Sequence, residues 1–431
     1  LEDHDSGQRL PAVPRARTAA HRIAGVTLLA ALLLVVSGCS RAEEPPAPAA
    51  NPLPTPYDLA PDAVTDPAFP SLTYGIQAFL WWNGTTRPYD LDAMRLMNFT
   101  HVKQIFAWAD VEPVDDEWHW QQADAVVAEA QCRGRQIVAR LDHAPEWAAA
   151  APGDDPAAPP VNLDAWGEFC GTLAARYKGQ IAAYQVWNEP NLDREWGGRS
   201  PNAEGYVSLL KTCSQAIHTA DPDAIIISAG LAPTGTVSSA VTPDMIYLRQ
   251  MYDAGASEWF DVLGLNAPGY NDPPSTSPEE AAEKYDGNRW RVFRHVEDMR
   301  AIMVDEGDAA KQVAILEMGW TTDSVHPDYA WHAVTEQQQA DYLVGAYQWA
   351  AEHWRPWVGL MTTIYLSDFD WTPDDEEYWW AIDLPSFPPK TYRPAFIALA
   401  NMEKVSGDTV IPARDPGSPE ATTLQPLTCP N

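Results

Sequence analysis

Basic residues are scarce in this chain. Lys and Arg number 28 against 60 Asp and Glu, a formal charge of -32 over 431 residues. So acidic a chain repels polyanions, which argues against a phosphate-binding or nucleic-acid-binding role. A highly acidic polysaccharide is also disfavoured, although local charge can override the net, and acidity serves plain solubility as well. Cysteine is sparse, with five residues, none at the spacing of a zinc knuckle, so no metal site is expected, and no cofactor. No glycine-rich phosphate turn follows any apolar strand run, which counts against a doubly wound nucleotide-binding sheet. No internal repeat of roughly 20–50 residues is visible. Hydrophobic residues make up 45% of the chain, enough for a sizeable core and too many for global disorder.

Long apolar runs are missing too. Ile23 to Val36 spans 14 residues, short of the ~20 a membrane span needs. It is right for the core of a signal peptide, and Arg15, Arg17 and Arg22 precede it. The run ends in Val36-Ser37-Gly38-Cys39, which resembles the lipobox of bacterial lipoproteins. That resemblance implies that residues 1–38 are removed and that Cys39 becomes a lipidated N-terminus. The competing reading is an ordinary signal peptide or an uncleaved anchor with an incidental cysteine. Residues 39–70 follow, with nine prolines between Ser40 and Pro70, and read as a semi-rigid tether. The expected location is extracytoplasmic, held at the membrane by the lipid. Export permits disulfides. Cys132, Cys170, Cys213 and Cys429 allow three pairings, and the sequence does not choose among them.

From residue 71 to about 405, strand and helix patterns alternate. Strands are expected at Tyr74–Trp82, His101–Ala107, Gln136–Leu141, Ile181–Trp187, Ala224–Ala229, Phe260–Leu265, Gln312–Leu316 and Gly359–Leu366. Helices are expected at 91–97, 121–133, 163–177, 203–219, 245–254, 289–305, 335–353 and 391–404. This is an α/β pattern, and eight strands alternating with helices point to one (β/α)8 TIM barrel. The tail at 406–431 is polar and proline-bearing. The chain is expected to be monomeric.

Two strand ends carry chemistry. Tyr184-Gln185-Val186-Trp187 runs into Asn188-Glu189-Pro190, and Val313-Ala314-Ile315-Leu316 runs into Glu317. In a (β/α)8 barrel the C-terminal strand ends form the active-site face. Glu189 ends the fourth strand and Glu317 the seventh, so the two carboxylates are expected at one mouth. A carboxylate pair is the equipment for cleaving a glycosidic bond. Tryptophan is also skewed, 19 against 10 Phe. A tryptophan fills a core or offers a flat apolar platform on which sugar rings stack. Trp82, Trp108, Trp147 and Trp371 fall near strand ends, where one or two should form such a platform while the others are core. Trp320 fits either role. His143 is a candidate sugar contact and equally a structural histidine.

Trp187-Asn188-Glu189-Pro190-Asn191 resembles the acid/base motif of clan A, the retaining (β/α)8 glycoside hydrolases. Glu317-Met318-Gly319-Trp320 resembles that clan's nucleophile strand. Trp108-Ala109-Asp110-Val111-Glu112-Pro113 and Ala144-Pro145-Glu146-Trp147 resemble its cellulase-like and family 39 (β-xylosidase-like) members. The resemblance implies Glu189 as acid/base, Glu317 as nucleophile, Asn188 bonded to the sugar 2-hydroxyl, and Tyr270 bonded to the nucleophile. It implies hydrolysis of a β-linked polysaccharide or oligosaccharide. Two positions depart from the clan pattern. Lys103-Gln104 stands where an Arg is common on strand two, and Asn266 to Tyr270 replaces a His-x-Tyr on strand six. The alternatives are a non-catalytic carbohydrate-binding lipoprotein and a transglycosylase on the same scaffold.

Overall fold

A computed structural model describes residues 58–151, 153–386, 390–415, 427 and 429. The expected signal segment, Cys39 and most of the tether and tail lie outside the described residues. Eight parallel strands close into one barrel in chain order. They are β1 (Thr73–Gln77), β2 (His101–Ala107), β3 (Gln136–Asp142), β4 (Ala183–Val186), β5 (Ile225–Ile227), β6 (Val262–Asn266), β7 (Gln312–Met318) and β8 (Val358–Thr363). Thr73 opposite Leu360 and Ile76 opposite Thr363 close the ring between β1 and β8. The main helices that follow the strands are α1 (Arg87–Met97), α2 (Gln121–Cys132), α3 (Leu163–Arg176), α4 (Ala203–Ala220), α5 (Asp244–Asp253), α6 (Val296–Asp305), α7 (Glu336–His353) and α8 (Pro394–Asn401). The fold is the expected (β/α)8 barrel.

The strands read as unbroken apolar runs because both of their faces are covered, one by the barrel filling and one by helices. Every residue of β4 and β6 is buried. Helix starts are fixed locally. Asn162 caps α3 and Asn202 caps α4 with side-chain oxygens, and Thr335 with Gln338 forms a capping box on α7, which satisfies backbone N–H groups that the helix cannot. Some elements stop short of expectation. β1 ends at Gln77, which leaves Trp82 in the following loop. β4 ends at Val186 because Trp187 takes a φ of 71°, outside any strand conformation. The helix expected from Arg289 begins at Val296, after a tight turn at Phe293–His295.

The end of the proline-rich segment is built into the barrel. The Phe69 backbone exchanges hydrogen bonds with the Gln312 side chain at 2.8 and 3.0 Å. Its ring packs with Val138, Ala183, Ile227, Val262, Ala314, Leu316 and Leu360, which plugs the N-terminal end of the barrel. Arg300 on α6 donates to the Leu59 carbonyl at 3.0 Å. The barrel domain therefore reaches back to the described residues before position 71. Two disulfides complete the frame, Cys170–Cys213 between α3 and α4 and Cys132–Cys429 between α2 and the chain's end. Among the described residues no helix is long and apolar enough to cross a membrane.

Candidate active site

Polar and charged side chains break the apolar runs on several strands, and they meet inside the upper barrel. A charge in a buried strand needs a partner, because desolvation alone costs several kcal/mol. Lys103, from the middle of β2, is fully buried. It reaches across to β7, where its ammonium donates to Glu317 Oε1 at 2.7 Å and to the Leu316 carbonyl at 3.3 Å. Arg140 on β3 lies 3.8 Å from the same Oε1. Burial would raise the Glu317 carboxyl, but Lys103 and Arg140 outweigh it and hold Glu317 below the usual carboxylate range.

Glu189 follows β4 and is 8% exposed. Its Oε1 accepts from Asn266 Nδ2 at 2.8 Å and its Oε2 from Arg194 at 2.8 Å. The same Asn266 nitrogen lies 3.4 Å from Glu317 Oε2. One amide thus touches both carboxylates, and the sum of its two contacts bounds the gap between those facing oxygens. Asn266 fits there because residue 230 has no side chain. A Cβ on Gly230 would fall 2.2 Å from Asn266 Oδ1.

The loops at this mouth are bent unusually. His143 (φ 56°), Trp187 (φ 71°), Glu189 (φ 36°) and Tyr270 (φ 53°) all sit beyond strand ends in the left-handed region. Such residues cost about 1–3 kcal/mol each and cluster at functional sites. Packing holds Trp187 in place. Its indole donates to the Glu195 carbonyl at 2.8 Å, and its ring meets Trp166 and Trp196 edge-on. Asn188, buried beside it, accepts from Gln185 at 3.4 Å. A second charge chain runs along β3. Arg140 pairs with Asp142, and Asp142 bonds His143 Nδ1 at 2.5 Å. Burial works against the Asp142 charge, yet Arg140 and His143 bring that carboxyl down to about 2. Burial likewise opposes the His143 charge, and Asp142 outweighs it, so His143 is raised.

The other candidates divide. Trp108 and Trp320 are fully buried core residues. Trp108 donates to Glu112 at 2.7 Å and Trp320 to the Asp272 carbonyl at 2.9 Å, so neither offers a face to a sugar. Trp147 is partly buried, tied to the Glu112 carbonyl at 3.0 Å and set edge-on to Trp108. Trp82 is exposed and Trp371 half-buried, both packed around Phe79. Tyr270 donates to the Pro233 carbonyl at 3.1 Å; the contact to Glu317 from this strand comes from Asn266 instead. The two departures from the clan pattern, Lys103 and Asn266, are thus among the residues that touch the glutamates. Arg194 and Arg140 were missed as contacts, though an arginine inside the run Gln136–Leu141 is a visible signal. Among the described residues, one further acidic group, Glu112, Asp115 and Asp116, is close-set. Glu112 there already accepts from Trp108 and from the Asp116 backbone.

No family profile matches the sequence, and no curated protein does. Solved structures do match in fold. A family 39 glycoside hydrolase from the gut symbiont Bacteroides cellulosilyticus WH2 aligns with a TM-score of 0.56 at 18% identity, over 78% of this chain and 64% of that one. A monomeric beta-xylosidase from Caulobacter crescentus CB15 gives 0.54 at 16% identity, over 78% and 68%. The xylanase XynB from Paenibacillus barcinonensis gives 0.51 at 17% identity, over 77% and 95%. This chain spans less than two thirds of the first of these proteins. At such identities the likeness is one of barrel fold.

Proposed function

We propose that the chain is a retaining glycoside hydrolase that cuts O-glycosidic bonds of a β-linked glycan by double displacement. The observation that carries this is the pair of carboxylates at the ends of β4 and β7, touched by one Asn266 nitrogen at 2.8 and 3.4 Å. Those contacts bring one oxygen of each carboxylate to the same amide, close enough for both to act on one glycosidic bond. Glu317, held ionised by Lys103 and Arg140, attacks the anomeric carbon. Glu189 gives its proton to the leaving oxygen, which departs as an alcohol. Glu189 then takes a proton from water, and that water releases the sugar from Glu317 with its configuration retained. The fold likeness to family 39 hydrolases and xylanases supports the same reading.

Export with a lipid anchor at Cys39 belongs to this proposal. Two disulfides among the described residues support an oxidising compartment. Hydrolysis of a panel of aryl β-glycosides tests the reading. The wild type should turn over at least one, Glu317→Ala none, and a 2-deoxy-2-fluoro glycoside should label Glu317. Early-time product NMR should show retention; inversion would remove the nucleophile role from Glu317. Sugar binding without any turnover would instead identify a carbohydrate-binding protein.

A further inference from the structure

All 19 tryptophans lie among the described residues, and only two are exposed, Trp82 at 44% and Trp331 at 46%. An exposed indole that is braced from behind by other rings presents a flat apolar face with a polar edge, which suits a sugar ring. Both stand in βα loops on the face that carries the glutamates, on different flanks of it. Trp82 follows β1. Its ring packs on Phe79, at 6.4 Å between centroids. Phe79 in turn meets Tyr365 and Trp371 at 5.7 and 4.9 Å. Tyr365 belongs to the loop after β8, and the backbone of its neighbour Ile364 bonds Met318, the residue after Glu317.

Trp331 follows β7 on the other flank. Arg291 backs its ring at 4.4 Å, and Tyr270 stacks beside it at 5.8 Å and 26°. Trp290 supports Tyr270 edge-on at 5.3 Å. Tyr270 anchors on Pro233, in the same loop whose Gly230 carbonyl holds the Glu189 backbone at 3.0 Å. Each exposed indole is therefore fixed from behind by a packed aromatic group, and each group adjoins one of the two glutamates. Pre-fixed aromatic faces bind at little entropic cost.

We propose that Trp82 and Trp331 are two stacking platforms for separate sugar units of one neutral β-linked chain, with the scissile bond between them. The substrate class is then an oligosaccharide or polysaccharide cut internally, rather than a glycoside trimmed one terminal sugar at a time. The proposal rests on reading the mouth as a carbohydrate site. Turnover tests the glutamates, whereas length-dependent binding tests the platforms, so either can fail alone.

The experiment is isothermal titration of the full chain carrying Glu317→Gln, which keeps glycans intact. The probes are the β-1,4-linked hexaoses of xylose, glucose and mannose, the β-1,3-linked hexaose of glucose, and the three monosaccharides. At least one hexaose should bind at least about tenfold tighter than its monosaccharide. Trp82→Ala and Trp331→Ala should each cut that ratio several-fold to about tenfold, and Trp331→Phe should restore most of it. Circular dichroism and thermal midpoints check that the variants fold. The proposal is overturned if no hexaose outbinds its monosaccharide, or if either alanine variant keeps the full ratio.

Discussion

Replacing Lys103 by Met removes the one ammonium that bonds Glu317 directly, at 2.7 Å. Methionine is similar in length and apolar, so the barrel filling survives. Arg140 at 3.8 Å and Asn266 at 3.4 Å remain, and neither can replace a direct charge-assisted bond. Such a bond contributes about 1.5–3 kcal/mol. Lys103 opposes the burial that would otherwise raise the Glu317 carboxyl, so without it Glu317 protonates at higher pH. The acidic limb of kcat/KM should therefore move toward neutral pH. The limb should move up by about one to two pH units, by the factor of ten per ~1.4 kcal/mol, and the loss should be largest at the acid end of the profile. It should shrink as pH rises and the carboxylate re-forms. Lys103→Arg keeps the charge and should keep the limb close to wild type. The assay is kcat/KM on an aryl β-glycoside from about pH 4 to 9, with thermal midpoints to confirm folding. An unmoved limb in Lys103→Met, or an equal loss at every pH, would refute the electrostatic role assigned to Lys103.

Gly230→Ala should lower kcat about tenfold or more while leaving binding of a monosaccharide product detectable, because the added Cβ would sit 2.2 Å from Asn266 Oδ1 and push the bridging amide aside; unchanged kcat would show that the bridge is dispensable. His295 is buried between Asp244 at 2.8 Å and Asp298 at 3.1 Å, with Arg289 also on Asp298. Burial pushes that imidazole down, yet the two carboxylates raise it to about 10. The folded chain thus holds the proton more tightly than the unfolded one, whose histidine titrates near ~6.5. The contribution is complete below about pH 6.5 and is lost as pH rises toward about 10. The gap in urea midpoint between wild type and His295→Gln should narrow over that window, and a constant gap would count against the charged clamp. Converting Cys170 and Cys213 together to Ser opens a loop of sequence separation 43, for which chain entropy gives about 2–4 kcal/mol. Chemical denaturation should show that loss, and no loss would mean that α3 and α4 are held by packing alone.

Much of the barrel was legible because each of its strands is short, apolar and closed by a turn signal. His101–Ala107 begins and ends where the pattern placed it, and α2 differs only by losing Arg133. The two glutamates were legible for a related reason. A carboxylate at the end of a buried strand has one place to go, the rim, and the strand count puts both on the same rim. Errors gathered where the chain turns. A period of two cannot show that Trp187 leaves the strand with a positive φ, since that is set by the Glu195 carbonyl and by Trp166 and Trp196 from elsewhere in the chain. For the same reason the positions of Trp108 and Trp320 leave platform and core both open. Only the helix packing at Trp166 and Phe169, or the carbonyl of Asp272, turns them inward.

Lys103 and Asn266 make a different case. Compared with a family pattern they look like losses, a missing arginine and a missing histidine. Their contacts show them as the polar partners of the two carboxylates. The information was present in the strand itself. His-Val-Lys-Gln-Ile-Phe-Ala buries a lysine in a fully covered strand, and an unpaired buried ammonium costs several kcal/mol. Some acid had to lie opposite it. In a closed barrel the candidates are inward-facing acids near the same level, and Glu317 is one of them. A buried charge in a barrel strand therefore predicts a partner across the ring even where the motif fails. The same reasoning applies to Arg140, whose three carboxylate neighbours Asp142, Glu195 and Glu317 come from the end of β3, the loop after β4 and the end of β7. Together Lys103 and Arg140 bring two positive charges to a chain of formal charge -32, at the place where the proposed chemistry needs a carboxylate kept ionised.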